Sequence, residues 1–136
     1  MTMSAYPKPA SLWDTYPFWD ALRAHELRLQ RCSDCGRWRF PPRPYCAGCR
    51  SAKASWDAVS GRAAVYTWTV CHPPVLPAFA DRAPYNAVVV QLEEGPFLVS
   101  NLVGWDGGQE IPIGLPVFGE YLDIDDELTI HQFRPR

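Results

Sequence analysis

Four cysteines in two close pairs, Cys32-x-x-Cys35 and Cys46-x-x-Cys49 with ten residues between them, constrain what this chain can fold into more than any other feature. Each pair is a knuckle able to turn two thiolates toward one point, and two knuckles supply the four donors of a tetrahedral metal site. Gly36 follows the first pair and Gly48 lies inside the second, so both are expected to give tight turns whose N–H groups aim at sulfur. Zinc suits such a site, with Zn–S distances of about 2.3 Å, and iron is the alternative the same donors admit. With all four positions filled by protein, no place is left for water or substrate, and the expected ion is structural instead of catalytic. A ribbon of about 25 residues has too little core to fold alone, and zinc contributes on the order of 10 kcal/mol to such a module.

Two disulfides, or four idle thiols, are the competing readings of the same residues. Met1 to Ala10 lacks the basic start and apolar run of a secretory signal, which points to a cytoplasmic setting where thiols stay reduced. No stretch approaches the roughly 18 consecutive apolar residues of a membrane span, so no membrane role is expected. Cys71 is the one cysteine left over.

A chain of 136 residues is long enough for one core and a small satellite, and three segments are expected. Residues 1–26 read as an N-terminal arm and helix, the helix running from Tyr16 to Glu26 and fraying at its end; residues 27–53 read as the ribbon, entered by a short strand over Leu27–Arg31. Pro41, Pro42 and Pro44 stiffen the loop between the knuckles. Residues 54–136 read as a small antiparallel barrel, with β-rich runs at Trp56–Ser60, Gly61–Val70, Tyr85–Leu92, Phe97–Leu102, Pro116–Leu122 and Leu128–Phe133. Glu93-Glu94-Gly95-Pro96 is a hairpin connection, and Gly61 is expected to bend a long first strand. The connections Cys71–Pro84 and Gly104–Leu115 are longer than hairpins, as functional loops tend to be.

The net charge of −2 hides a division. Leu27 to Lys53 holds seven basic residues against the single acid Asp34, a balance of about +6 that leaves about −8 for the remainder.

Arg31-Cys32-x-x-Cys35-Gly36, Phe40-Pro41-Pro42-Arg43, Cys46-x-x-Cys49, Gly61-Arg62 and Val65-Tyr66-Thr67-Trp68-Thr69-Val70 together resemble the acyl-CoA-associated OB-fold family with a rubredoxin-like zinc ribbon, the domain of unknown function thirty-five. The likeness runs from about Tyr16 to Arg134 and takes in Tyr85, Glu94-Gly95, Ile113-Gly114-x-Pro116-Val117 and Phe133-Arg134-Pro135. The resemblance implies a mainly β protein: an N-terminal helix, a zinc ribbon and a five-stranded OB-fold barrel. It also implies a partner. Members assemble with thiolase-like enzymes, and in steroid side-chain degradation such pairs act as acyl-CoA retro-aldolases in which the thiolase-like chain supplies the catalytic groups; others accompany acyl-CoA hydratases or thiolases. The metal role carries over to Cys32, Cys35, Cys46 and Cys49.

No catalytic residue is expected in this chain. Its three histidines, His25, His72 and His131, form no metal-type pair, and Cys71 and His72, neighbours on an extended chain, point to opposite sides. Asp123, Asp125, Asp126 and Glu127 lack the spacing of a calcium loop and read as a solvated turn. The expected function is an accessory subunit of an acyl-CoA carbon–carbon lyase. Arg37, Arg39, Arg43 and Arg50 are candidates for the phosphates of coenzyme A, and Tyr66, Trp68, Phe79 and Tyr85 for the acyl arm. The alternative for each arginine is a solvated face or an acidic partner's interface. A nucleic-acid-binding module is a second reading of barrel, ribbon and basic segment, opposed by the acidic balance of the barrel. A scaffold that touches only its enzyme is a third, to which six tryptophans are suited.

Overall fold

The computed structural model describes residues 6–10, 12 and 14–136. The expected arm's first five residues, with Ser11 and Trp13, lie outside the described residues.

The described residues form one α-helix, a short 3-10 turn at Pro77–Phe79 and eight strands in two antiparallel sheets. Helix α1 spans Tyr16–Arg23 and buries Phe18, Ala21 and Leu22, which lie three and four residues apart on one face. It is shorter than expected, and it is sealed where fraying was expected. The Glu26 N–H reaches the Ala21 carbonyl (2.9 Å) and the His25 N–H the Leu22 carbonyl (2.8 Å), with His25 at φ 59° in the position glycine usually takes. The His25 imidazole then stacks on Tyr121 (5.2 Å, 10°) and lies 2.9 Å from the Asp123 carboxylate, which fixes the helix end against the barrel.

The first sheet has the order β2-β1-β3, built from Trp38–Arg39, Arg28–Cys32 and Ala54–Ala58. The run expected over Trp56–Ser60 is therefore displaced to Ala54–Ala58, and it pairs with β1, from Arg28↔Ala58 to Cys32↔Ala54, instead of joining the barrel sheet. Gly61 accounts for the change of sheet. At φ 82° it turns the chain sharply, so the expected long strand is two strands in different sheets.

The second sheet has the order β6-β5-β4-β7-β8: Phe97–Ser100, Tyr85–Leu92, Arg62–Cys71, Pro116–Asp123 and Thr129–Pro135. A bulge between Val65 and Thr67 bends β4 where β5 crosses it. The sheet curls until the chain beyond β6 meets β8 at one parallel bridge, Leu102↔Phe133, supported by the Val103 N–H on the Phe133 carbonyl (2.8 Å) and the Phe133 N–H on the Asn101 carbonyl (2.9 Å). Asn86 completes this closure. Buried at 5% exposure, its side chain pairs with both backbone groups of Leu102, at 2.9 and 2.7 Å, as a strand would.

One apolar core runs through the whole fold. Phe18 and Leu22 of the helix, Leu27 and Leu29 of the ribbon's entry, and Val65, Val88, Val90, Leu92, Leu98, Val117 and Phe133 of the barrel form a single buried cluster. Among the described residues no helix is long and apolar enough to cross a membrane.

Candidate metal centre and ligand surfaces

The two knuckles are built alike. The Cys32 N–H donates to the Arg37 carbonyl (2.8 Å) and the Gly36 N–H to the Cys32 carbonyl (3.0 Å); at the same offsets, the Cys46 N–H donates to Ser51 (2.9 Å) and the Arg50 N–H to Cys46 (2.9 Å). Gly36 and Arg50 hold the matching left-handed position, at φ 77° and 65°. Arg50, and not Gly48, is thus the counterpart of Gly36. Gly48 sits under the Arg37 side chain: a Cβ there would lie 2.7 Å from the guanidinium carbon and make that exposed arginine shift.

The four sulfurs lie within 4.8 Å of one another, with Cys32–Cys49 at 3.5 Å and Cys35–Cys46 at 3.6 Å. A tetrahedral ion with bonds of about 2.3 Å needs sulfur–sulfur edges of about 3.8 Å, so the set fits around one ion. The Cys35 N–H points at Cys32 Sγ (3.5 Å) and the Gly48 N–H at Cys46 Sγ (3.3 Å). The Cys35 N–H holds the Cys32 thiol below its ordinary range, and the Cys49 and Gly48 N–H groups bring Cys46 down to about 6. At Cys49 the Ser51 N–H favours the thiolate, but the Cys32 sulfur, burial and the sulfurs of Cys35 and Cys46 outweigh it and push that thiol up to about 12. Four thiolates converging on one point require a cation, and a divalent ion reverses that crowding.

Arg39 is a brace of this ribbon. At 5% exposure it donates to the carbonyls of Arg43 (3.1 Å), in the inter-knuckle loop, and Ser51 (3.4 Å), just past the second knuckle. Arg37, Arg43 and Arg50 are exposed. Arg37 borders an open cleft of about 630 Å³ between the first knuckle and the β5–β6 hairpin, walled by Trp38, Phe40, Pro96 and Phe97, and shares a smaller one of about 110 Å³ with Arg43. Tyr66, 58% exposed, stands edge-on to Phe97 (4.9 Å) beside that cleft. Trp68 packs on the core, and Phe79 and Tyr85 line a separate cavity of about 340 Å³. The eight candidates are therefore distributed over several places. Arg82 and Trp105, which line the second cavity, carry no sequence signal beyond lying in the two long connections.

Two of the three histidines, His25 and His131, pack against the barrel. The His131 ring packs edge-on to Phe18 (6.0 Å) and Phe133 (6.1 Å), its Nδ1 lies 2.8 Å from the Ser100 hydroxyl, and burial lowers its pKa to about 4. His72 is exposed, while the half-buried Cys71 lies beside Tyr85; burial first, then Cys71, raises the tyrosine's pKa. In the acidic turn, Asp125 accepts the N–H groups of Glu127 (2.8 Å) and Leu128 (2.9 Å) and pairs with Lys8 (2.9 Å). A turn strapped by the arm's lysine matches the expectation of a surface turn.

A four-cysteine ribbon sharing its core with a curled five-stranded sheet defines a metal-ribbon protein of the OB-fold class. Family models agree segment by segment: residues 19–54 match the rubredoxin-like zinc ribbon domain of ChsH2, and residues 56–118 match the C-terminal OB-fold domain of ChsH2. The chain is 41% identical to the probable enoyl-CoA hydratase alpha subunit of Thermomonospora curvata, over 95% of this chain and 40% of that protein. It is 38% identical to the 3-oxo-4,17-pregnadiene-20-carboxyl-CoA hydratase alpha subunit of Mycobacterium tuberculosis, over 90% and 38%. It thus spans about 40% of the length of these two relatives. A DUF35 domain-containing scaffold protein of Pyrococcus furiosus is 37% identical over 74% of this chain and 72% of that one. A solved chain described as the Ltp2-ChsH2(DUF35) aldolase superposes with a TM-score of 0.86 at 39% identity, covering 94% and 98%. The chain belongs to the DUF35 family, with its ChsH2-type zinc ribbon and OB fold.

Proposed function

We propose that this chain is a non-catalytic accessory subunit of a thiolase-like acyl-CoA retro-aldolase acting on steroid side chains. The observation that carries the reading is the end-to-end likeness to the DUF35 chain of a solved aldolase, 94% of one on 98% of the other. The steroid part rests on the pregnadiene-carboxyl-CoA name of one relative. Four protein thiolates fit a zinc ion that is structural, with the chain's own N–H groups steadying the sulfurs. The division into arm and helix (1–26), ribbon (27–53) and barrel (54–136), with β3 at the start of the last segment reaching back to pair with β1, and a cytoplasmic setting that keeps the thiols reduced, belong to the same proposal.

Within it, Arg37, Arg43 and Arg50 receive the phosphates of coenzyme A, and the aromatic cleft between ribbon and hairpin takes the arm that follows. Arg39 acts beneath them, fixing the loop that carries Arg43. Two relatives named as hydratase alpha subunits support a second reading, in which the partner is an acyl-CoA hydratase.

Co-expression with a thiolase-like protein encoded nearby, followed by affinity capture and assay for carbon–carbon cleavage of a steroid acyl-CoA, tests the proposal. The expected result is a stable complex whose activity needs both chains and whose KM for acyl-CoA rises at least tenfold in Arg37→Ala/Arg43→Ala. Capture of a hydratase instead favours the second reading. Turnover by this chain in isolation overturns both.

A further inference from the structure

The cavity that holds Phe79 and Tyr85 lies apart from the cleft between ribbon and hairpin to which the acyl arm is assigned above. It is about 340 Å³ in volume, at the lower end of the roughly 300–1,000 Å³ typical of small-molecule pockets. Aromatic rings dominate one wall: Tyr6 stands edge-on to Phe79 (5.2 Å), and Phe79 is tilted against Tyr85 (5.9 Å). Trp105 closes another side, its indole N–H held by the Gln109 carbonyl (2.8 Å). Among the residues lining the cavity, Arg82 alone carries a full charge. Its guanidinium lies over two rings, 4.9 Å from Tyr6 and 5.4 Å from Phe79, and its Nη2 is buried with no hydrogen-bond partner among the described residues.

That nitrogen is the telling atom. Burying a donor without an acceptor costs about 1–3 kcal/mol, and more when the group is charged. The rings hold the guanidinium through cation–π contact but offer it no oxygen. Two of the amides lining the pocket turn to neighbouring backbone: Asn86 pairs with Leu102, and the Asn101 side chain donates to the Asn86 carbonyl (2.6 Å). The missing partner is an acceptor that enters from outside, and a planar carboxylate matches the guanidinium fork. The apolar and aromatic walls require an apolar body behind that head.

We infer that the cavity between the Pro77–Phe79 turn and the Gly104–Leu115 loop binds a small organic carboxylate with an apolar or aromatic body, its head on Arg82 and its body against Phe79, Tyr85 and Trp105. The inference does not rest on the acyl-CoA proposal, because a thioester has no free carboxylate to offer.

Two probes differing only in the head test it on the full chain: 4-phenylbutyrate and 4-phenylbutanol, titrated by NMR with the Trp105 indole N–H as the reporter. The acid is expected to saturate with the Trp105 resonance moving, and the alcohol to bind at least tenfold more weakly. Arg82→Gln should remove that preference, and Arg134→Gln, on the far end of β8 paired with Glu120, should keep it. Equal affinity for acid and alcohol in the unaltered chain overturns the proposal whether or not Arg82→Gln folds. So does an unmoved Trp105, or inorganic phosphate displacing the acid at equal concentration, which would make Arg82 a site for any anion.

Discussion

His131 shows what a single residue does when its surroundings decide its chemistry. A histidine packed between Phe18 and Phe133 is stable as the neutral ring, and its pKa falls to about 4 from the ordinary 6.5. Between those values the unfolded chain takes up the proton and the folded chain does not. The resulting loss of stability is absent above pH 6.5, grows as pH falls, and reaches about 3 kcal/mol at most once pH passes 4. His131→Gln should remove this part of the acid sensitivity, measured as the difference in urea midpoint between variant and parent at pH 7 and pH 5. An unchanged difference would mean the ring titrates normally. The cysteines make a simpler prediction. Cys46→Ala leaves three thiolates for an ion that needs four ligands, and elemental analysis should fall from one metal per chain to well under half.

At the scale of elements, the barrel's weak seam is the junction of β6 with β8, where one bridge replaces a ladder. Asn86 supplies there the two hydrogen bonds that a neighbouring strand would otherwise provide. Asn86→Ala strands both backbone groups of Leu102 in a buried site and should cost about 2–4 kcal/mol, with faster amide exchange at Leu102 and Val103 as the local signature. This seam was not legible in the sequence: Asn86 shares the inward parity of Val88, Val90 and Leu92, but a polar residue there does not say which backbone it will pair with. The five barrel strands were legible, since Val88, Val90 and Leu92 alternate with less buried neighbours and Glu93–Pro96 closes the hairpin. The metal centre was legible for a different reason: four cysteines at fixed spacing carry their geometry in the chain itself. How the candidate ligand residues group in space was not, because arginine and tyrosine say nothing of which neighbours fold beside them. Arg39 points into carbonyls and Trp68 into the core, neither of which spacing reveals. The end of α1 was misjudged for a related reason, a left-handed histidine doing the work of a glycine.

For the whole molecule, the shared core decides how damage spreads. Leu27 and Leu29 of the ribbon's entry lie in the same cluster as Phe18, Leu22 and Phe133. Stripping the metal with a strong chelator at neutral pH should therefore lower the melting temperature of the entire chain, with ribbon and barrel signals moving together. A barrel that kept its original melting point would show the two halves to be independent.

The three residues linking β3 to β4 each grip a different element. Val59 donates to the Leu27 carbonyl (3.0 Å), Ser60 to the Glu94 carboxylate (2.8 Å), and the Gly61 carbonyl receives the Gly119 N–H (2.9 Å). A connector fastened at every step cannot act as a swivel. Whatever protein docks on this chain meets knuckles and strands as one preset contour, with little orientational freedom to be frozen out, and one extra residue spliced in at position 60 would spoil that fit without touching either surface.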